Sequence, residues 1–313
     1  MGAFMINKIT VIGSINLDTT LRVDHMPKPG ETLHAIEHFT AGGGKGANQA
    51  VAAKRAGAQT AFIGAVGNDA AGNMMLDLLA QEKIDITAVS ILDHQSTGQA
   101  FITVDNHGEN SIMIYSGANN GFTVEDVKKN QATIRDSDFI IAQFESDIES
   151  TIEAFTIARH ADVKTILNPA PALVNIPERL LKLTDMIIPN EIETEMMTGM
   201  AVTDEASLKE AADYLHRLGI EVVIITIGSK GAFYDFNGES AIIPAYKVKA
   251  VDTTAAGDTF IGALASLLKK DYSNLVEAIQ YGNKASSLTV QRFGAQPSIP
   301  FQTDIHEEVS SRT

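Results

Sequence analysis

The sequence predicts an α/β protein of three layers, with helices on both faces of a mostly parallel central sheet. Short, nearly continuous apolar runs alternate with amphipathic helical patterns over most of the 313 residues. That alternation is typical of parallel strands buried on both faces. Two further stretches alternate with a period of two, and two glycine-containing segments each open an Ala-rich helix. The first pattern predicts the main domain, and the other two predict an added sheet and a ligand site.

The main alternation fixes the expected order of strands and helices. The first strand is expected at residues 8–12, and the first helix at 48–56, where Gly57 ends it. A strand at 60–63 and a helix at 70–81 follow. Further strands and helices are expected in turn at 139–141, 148–160, 165–167, 186–188, 205–218 and 222–225.

A small β-sheet, formed by residues of about 17–40 and 97–116, is expected to be inserted in a single domain that spans 1–313. Neither stretch contains a helical pattern, and Asn106, His107 and Gly108 divide the second into the two arms of a hairpin. Such a sheet could serve as a lid, as a dimer surface or as both. It could also be a purely structural insertion.

Composition excludes several classes of function. The net charge of −15 (24 basic against 39 acidic residues) argues against nucleic-acid binding, which needs a basic surface. The chain has no cysteine, so disulfides and thiolate metal sites are excluded. No apolar run approaches the ~18 residues of a membrane span. No signal peptide is visible, so we expect a cytoplasmic protein. We also expect Met5 to be the natural start, with residues 1–4 as an extension.

Two segments, 42–49 and 252–260, point to phosphate chemistry. Each places glycine and other small residues at the start of a helix, where unpaired N–H groups and partial positive charge favour an anion. In the second segment Asp258 follows the small residues. Its carboxylate would take a proton from an attacking hydroxyl, while the neighbouring amides hold the phosphoryl group. The amides belong to Ala255, Ala256, Gly257 and Asp258.

The sequence therefore predicts a phosphotransferase, with Asp258 as general base. The alternative for Asp258 is a helix cap, a position that favours Asp for its own reasons.

Polar residues follow three of the expected strands, where open α/β sheets bind ligands. Asn16 and Asp18 come after the first strand and suit vicinal hydroxyls, although an Asx turn would explain them equally well. Asn190 and Glu193 follow Pro189 and could organise metal-bound water, or simply begin a helix. The segment 226–231 could lie against a nucleotide, or be an ordinary turn.

Two other motif matches are declined. His34 and His38 have the spacing of an inverted zinc-hydrolase motif, but that motif needs a helix and this stretch has a β-like context. The run 42–47 loosely fits a dinucleotide fingerprint, but does not directly follow the first strand. A Walker A loop is excluded because Lys45 precedes Gly46 rather than Ser or Thr.

Taken together, these motifs make the chain resemble the PfkB family of carbohydrate kinases. Residues 42–67 and 252–260 match the two family signatures. Segments 168–172, 190–193, 226–231 and 294–298 match further motifs, so the resemblance covers about residues 8–305. It implies an α/β/α domain with a small β lid often used for dimerisation. It also implies transfer of the γ-phosphoryl group of ATP to a sugar hydroxyl, for the most similar branch O5 of D-ribose.

The resemblance also assigns residues to a sugar site and a nucleotide site. The sugar would be contacted by Asn16, Asp18, Gly44, Lys45, Gly46, Ala47, Asn48, Glu145 and Asp258. The nucleotide site would include Asn190, Glu193, Thr226, Ile227, Gly228, Ser229, Lys230, Gly231, Gly257 and Asn283. Mg²⁺ would accompany ATP, held mainly by phosphates and water.

A monovalent-cation site, usually for K⁺, is a further implication of the resemblance. Several of its positions would act through backbone carbonyls. The matching residues are Asp252, Thr254, Thr289, Arg292, Gly294 and Ser298.

The expected partners are therefore a small sugar such as ribose, ATP and a second copy of the chain. Two alternatives stay open: another sugar kinase of the family, acting on deoxyribose, fructose or ketodeoxygluconate, or a catalytically silent sugar-binding regulator on the same scaffold. The retained Asp258 and its small-residue neighbours argue against the regulator.

Overall fold

A nine-stranded sheet organises the chain, which the computed structural model describes over residues 6–310. Met5, the expected start, lies outside that range. The strand order is β13-β12-β11-β10-β9-β8-β1-β4-β5, and a separate four-stranded sheet has the order β3-β2-β6-β7. In the described range the strands are β1 (Lys8–Ile12), β2 (Asn16–Arg22), β3 (Glu37–Gly43), β4 (Gln59–Gly67), β5 (Asp85–Leu92), β6 (Gly98–Val104), β7 (Asn110–Tyr115), β8 (Phe139–Ala142), β9 (Lys164–Leu167), β10 (Met186–Ile187), β11 (Val222–Thr226), β12 (Ala232–Phe236) and β13 (Glu239–Ile243).

Helices connect most of these strands. Over the same residues they are α1 (Lys45–Arg55), α2 (Ala70–Gln81), α3 (Val124–Lys129), α4 (Gln131–Arg135), α5 (Ile148–His160), α6 (Glu178–Lys182), α7 (Glu191–Thr198), α8 (Glu205–Arg217), α9 (Ala256–Leu267), α10 (Leu275–Thr289) and α11 (Gln302–Ser310). None of the helices in the described part of the chain is long and apolar enough to cross a membrane.

The central sheet is buried on both faces, which explains its continuous apolar strands. Along the sheet from β5 to β11 neighbouring strands pair parallel, whereas β12 pairs antiparallel with both β11 and β13. In β8, Phe139 and Ile141 pack into one hydrophobic cluster, while Ile140 and Ala142 pack into the cluster on the opposite face. Helices α1, α2, α9 and α10 cover the first face, and α3, α4, α5, α6 and α8 cover the second. The three-layer prediction is confirmed.

The smaller sheet comes from the two stretches that alternate with a period of two. The hairpin of β6 and β7 pairs Val104 with Asn110, as expected, and β2 joins β6 in parallel. The first stretch differs from expectation, because residues 23–36 contain no strand and β3 continues to Gly43. His34 therefore lies in a loop rather than a helix.

The glycine-rich segment 42–49 combines a strand end and a helix start. Gly44 has φ of 87° and joins β3 to α1, which begins at Lys45, three residues before the expected position. A non-glycine residue adopts this left-handed conformation only at a cost, so Gly44 permits the abrupt reversal. The turn brings the first turn of α1 against β1, where the Ala47 N–H donates to the Ser14 carbonyl at 3.0 Å.

Helices α1 and α9 approach each other closely at Gly262. A Cβ atom added there would lie 2.6 Å from the Gln49 carbonyl oxygen, the Ala53 nitrogen and the Ala52 Cβ. Two of these three atoms are helix backbone and cannot move aside independently. The absent side chain therefore sets the distance between the two helices.

Gly262→Ala is expected to destabilise the protein by about 1–3 kcal/mol, because overpacking outweighs the better helix propensity of Ala. The loss of stability is measured by urea unfolding, as a lower midpoint with an unchanged slope of unfolding free energy against urea concentration.

Ser266→Ala, on the same helix, is the control. It removes only hydroxyl hydrogen bonds to the Ala263 and Ala56 carbonyls, so a loss within about 1 kcal/mol is expected. A Gly262→Ala protein as stable as the wild type would show that the two helices can separate freely.

Candidate active site

A cavity of about 210 Å³ opens at the carboxyl ends of the central strands, between the N-termini of α1, α7 and α9. Its wall is mostly polar and contains residues from segments that lie far apart in the sequence. They are Lys45, Asn168, Ala170, Ile188, Asn190, Glu193, Thr226, Thr253, Ala255, Ala256, Gly257, Asp258 and Ile261. The segment 252–260 and Lys45 of the first glycine segment thus meet at one site.

Asp258 lies in the first turn of α9, buried and held by two side chains of α1. The Asn48 Nδ2 donates to its Oδ2 and the Gln49 Nε2 donates to its Oδ1, each at 3.0 Å. Burial raises the pKa of Asp258 above its ordinary value, while the positive charge of Lys45 and the two amide hydrogen bonds oppose that rise. A carboxylate with a raised pKa is a stronger base than an ordinary Asp.

The backbone at the start of α9 adopts a strained conformation. Ala255 has φ of 60° and ψ of 10°, a left-handed conformation that is uncommon for a residue with a Cβ atom. The Ala256 N–H already donates to the Thr253 carbonyl at 3.2 Å. In the first helical turn the N–H groups of Gly257 and Asp258 have no intrahelical acceptor and face the end of the helix. These two amides are the best placed of the four expected in an anion site.

Two residues expected at the sugar, Asp18 and Asn48, contain buried oxygen atoms that lack partners among the described residues. Asp18 Oδ1 and Asn48 Oδ1 are buried, and neither has a hydrogen-bond partner in the described structure. Such atoms are costly to leave unpaired, so each is expected to accept a hydrogen bond from a ligand. Glu145 is partly committed, since its Oε2 accepts from Ser14 Oγ at 2.6 Å and from the Lys45 N–H at 3.0 Å.

Charge is concentrated around Lys45. Burial disfavours its ammonium form, but the surrounding carboxylates outweigh this effect and raise the pKa of Lys45. Those carboxylates are Asp258, Glu145, Glu193 and Asp18. Burial, followed by repulsion from Glu145 and Asp258, raises the pKa of Asp18 to about 7. One lysine therefore faces four acidic groups.

Asn16 is positioned by a residue that the sequence analysis missed. The Asn119 Nδ2 donates to Asn16 Oδ1 at 2.8 Å, and Asn119 Oδ1 accepts from the Ile15 N–H at 2.9 Å. Asn16 is the first residue of β2 and Asn119 follows β7, so two segments of the small-sheet region meet at the expected sugar contact. The only signal in the sequence was an Asn pair after the hairpin.

The other residues expected at the sugar have packing roles. A Cβ atom at Gly46 would meet the Ser14 nitrogen at 2.7 Å, so the glycine allows α1 to pack against β1. Ala47 is fully buried in the core. Neither residue lines the cavity, whereas Lys45 does. Their contact with a sugar stays a prediction.

Two of the expected nucleotide residues begin α7. Asn190 and Glu193 form a reciprocal cap in which the Asn190 N–H donates to Glu193 Oε2 at 2.8 Å and the Glu193 N–H donates to Asn190 Oδ1 at 2.8 Å. Asn190 also bridges to Thr226, and all three residues line the cavity. Burial raises the pKa of Glu193. Asn190 and Glu193 thus both cap α7 and line the cavity.

Gly257 also lines the cavity, whereas the remaining nucleotide candidates lie outside its wall. The segment 228–230 forms a short 3₁₀ turn after β11, in which Ser229 and Lys230 are exposed. Ile227 is buried, and Gly231 packs against the Ile243 carbonyl. The Asn283 Nδ2 donates to the Ile243 carbonyl at 3.0 Å, so its amide is engaged within the protein.

Hydrogen bonds to the Asp252 side chain join three of the expected cation residues, Asp252, Thr254 and Gly294. Asp252 Oδ1 accepts from the Thr254 N–H and hydroxyl at 2.9 and 2.7 Å, and its Oδ2 accepts from the Gly294 N–H at 2.9 Å. Although burial opposes it, these bonds lower the pKa of Asp252. A stable carboxylate next to two loops suits a cation that takes most of its ligands from carbonyls.

Thr289, Ser298 and Arg292 are engaged elsewhere. The Thr289 hydroxyl donates to Thr259 Oγ1 at 3.0 Å, and the Ser298 hydroxyl to the Ala295 carbonyl at 2.7 Å. Arg292 directs its guanidinium group to Asp304 at 3.4 Å. Thr289, Ser298 and Arg292 could therefore contribute to a cation site through their backbone carbonyls. Among the side chains that the structure describes, those of residues 6–307, no three His, Asp or Glu form a metal cluster.

Comparison with known proteins agrees with this geometry. The family model described as pfkB family carbohydrate kinase matches residues 6–302. A ribokinase from Staphylococcus aureus is 47% identical over 97% of this chain and 100% of that protein. A deoxyribokinase from Salmonella typhimurium is 33% identical over 96% and 98%.

The structure of Arabidopsis thaliana ribokinase complexed with ribose and ATP superimposes with a TM-score of 0.89 at 30% identity, covering 97% of this chain and 98% of that one. The strand order, the clustered motifs and the match over nearly the whole chain lead to one conclusion: the chain belongs to the pfkB family of carbohydrate kinases.

Proposed function

We propose that this protein transfers the γ-phosphoryl group of ATP to O5 of D-ribose, giving D-ribose 5-phosphate. The observation that carries the proposal is the pair of buried, unpartnered oxygens of Asp18 and Asn48 beside the buried carboxylate of Asp258. A small polyhydroxylated sugar donates hydrogen bonds to such oxygens. The higher identity to a ribokinase than to a deoxyribokinase supports ribose over deoxyribose.

Asp258 acts as the general base. Its two oxygens are held by Asn48 and Gln49, so a lone pair is presented in a fixed direction. The sugar hydroxyl loses its proton to this carboxylate as it attacks the γ-phosphorus, in line with the departing ADP. Positioning of the two reactants supplies most of the remaining rate enhancement.

The first turn of α9 stabilises the negative charge that develops on the phosphoryl group. The amides of Gly257 and Asp258 have no acceptor within the helix, and the helix dipole adds to their effect. Lys45 lines the same cavity and supplies a cation with a raised pKa. Ala256 joins the anion hole only if its N–H leaves the Thr253 carbonyl.

The nucleotide would lie between α7, the end of β11 and α9. Asn190, Glu193 and Thr226 form that wall of the cavity. The acidic Glu193 suits metal-bound water at the phosphates, because Mg²⁺ prefers oxygen ligands and retains several waters. When bound with ATP, Mg²⁺ neutralises charge on the β- and γ-phosphates.

We expect turnover of MgATP with D-ribose to exceed turnover with deoxyribose, fructose and ketodeoxygluconate, measured as ADP production. Asp258→Asn should lower kcat by about 10²–10⁴-fold, the usual loss for a general base. Calorimetric binding of ribose to that variant should change little.

If another sugar is turned over faster, the assignment of the sugar-binding residues is wrong, but the assignment as a sugar kinase stands. Ribose binding with no ADP from any sugar would favour the silent regulator, and near-normal turnover by Asp258→Asn would exclude Asp258 as base.

We also propose that K⁺ binds next to Asp252 and activates the enzyme. Asp252→Ala should abolish the rise in initial rate on exchanging Li⁺ for K⁺, because it removes the carboxylate that holds residues 252–254 and Gly294 together.

Asp271→Ala is the matched control. Asp271 accepts the N–H of Ser273 in a similar local turn, at an exposed position where its ionisation has no expected effect on catalysis. Equal K⁺ activation in the Asp252→Ala and Asp271→Ala variants would rule out the proposed cation site.

The small sheet is proposed to pair two copies of the chain. Every residue of the edge strand β7 is exposed, and Ile112, Met113, Ile114 and Tyr115 are each more than half exposed. An apolar edge strand of this kind invites pairing with another chain. A cytoplasmic location stays a prediction of the sequence.

Ile112→Glu combined with Met113→Glu places one charge on each face of β7. We expect a dimer for the wild type and a monomer for the double variant in sedimentation velocity. Val174→Glu, at an exposed apolar residue outside this sheet, should leave the dimer intact. A monomeric wild-type protein, or a dimeric double variant, would contradict the assignment.

A further inference from the structure

Asp258 is hydrogen-bonded to a chain of buried side-chain amides, most of which lies outside the cavity wall. Gln143 Nε2 donates to Gln49 Oε1 at 2.6 Å, and Gln49 Nε2 donates both to Asp258 Oδ1 at 3.0 Å and to Asn168 Oδ1 at 3.1 Å. Gln49 and Gln143 are fully buried. Neither belongs to the cavity wall, whereas Asn168 does.

Neighbouring groups fix the direction in which the Gln49 amide points. The Asn168 Nδ2 donates to the Ile188 carbonyl at 3.0 Å, so its Oδ1 faces Gln49 as an acceptor. Gln143 donates to Gln49 from the other side. A flipped Gln49 amide would place its oxygen against two oxygens and its NH₂ group against a donor. The amide therefore has one favourable orientation, with its NH₂ group toward Asp258.

This arrangement anchors both oxygens of the Asp258 carboxylate. Asn48 holds Oδ2 from one side, and Gln49 holds Oδ1 from the other. Rotation of the carboxylate would break both hydrogen bonds inside the protein, where unpaired charged groups are costly. The lone pair that receives the proton is thereby aimed by Asn48, an expected sugar contact, and by Gln49, which does not line the cavity.

Packing alone does not account for these amides. The Gln143 Oε1 is buried and has no hydrogen-bond partner in the described structure, so the chain of amides retains an unsatisfied polar atom. Apolar side chains of similar size would fill the same space without that cost. What they could not do is donate a hydrogen bond to Asp258.

We infer that Gln49, oriented by Gln143, is a positioning residue that holds the carboxylate of Asp258 for proton removal. The inference rests on the proposed role of Asp258 as base. The hydrogen bond from Gln49 also opposes the effect of burial on the pKa of Asp258. Without it, the carboxylate should bind its proton more tightly.

Gln49→Leu tests the inference in two ways. Carbon-13 NMR of the aspartate carboxyls, with the Asp258 signal identified by its loss in Asp258→Asn, should show the pKa of Asp258 raised by about one unit. The acid limb of kcat/KM for ribose should move to higher pH by the same amount, and kcat should fall about 10–100-fold with KM for ribose within about threefold.

Two further variants separate positioning from stability. Gln143→Leu keeps Gln49 but removes the donor that orients its amide. The pKa of Asp258, the acid limb and kcat should therefore change in the same direction as in Gln49→Leu, but by less. Thr165→Val is the control: Thr165 is fully buried, and its hydroxyl donates to the Leu183 carbonyl at 2.6 Å, near the amino end of β9. It should reduce stability and leave the pKa of Asp258 and the acid limb unchanged.

The inference fails if Gln49→Leu loses stability as Thr165→Val does, yet keeps the pKa of Asp258 within about 0.3 units and kcat within twofold. If Gln49→Leu does not fold, the Gln143→Leu titration decides in the same way. Absence of ADP production from the wild type would overturn the proposed function alone, because the NMR titration needs no substrate.

Discussion

The close contact between α1 and α9 is the constraint on which the active site depends. Gly262 lets the two helices approach, and this approach brings Asn48 and Gln49 within hydrogen-bond distance of Asp258, about 210 positions later in the chain. The same contact aligns the two helix N-termini at one cavity. The proposed anion binding and proton removal would thus both rest on the packing of one pair of helices.

The sequence was informative where physical patterns are local. Buried parallel strands leave a clear signal, so the layers could be predicted, whereas the meeting of Lys45 with Asp258 was implied only by the family resemblance. The roles of Gln49 and Asn119 could not, because a hydrogen bond between distant side chains has no periodicity. The role of the turn 227–231 stays a prediction, since a glycine after a strand does not by itself reveal whether the turn contacts a ligand.

The charge of the site is unusual for a protein that would bind ATP. Four carboxylates surround one lysine, in a chain whose net charge is −15. Side-chain charge alone would repel a polyphosphate, so attraction must come from helix N-termini, Lys45 and cations that arrive with the nucleotide. The acidic groups in turn suit hydroxyl donors. Under the proposed function, sugar and phosphate would be recognised by opposite electrostatics within one cavity.

The carboxyl group of Asp18 has a consequence for ligand binding itself. Its pKa of about 7, against an ordinary value of 3.8, means that Asp18 holds a proton over much of the acidic range. Hydroxyl groups that donate to Asp18 Oδ1 would favour the ionised form and lower that pKa. Sugar binding below about pH 7 would then expel a proton to the buffer. Affinity would rise as pH approaches neutrality, and the heat of binding would depend on the ionisation enthalpy of the buffer.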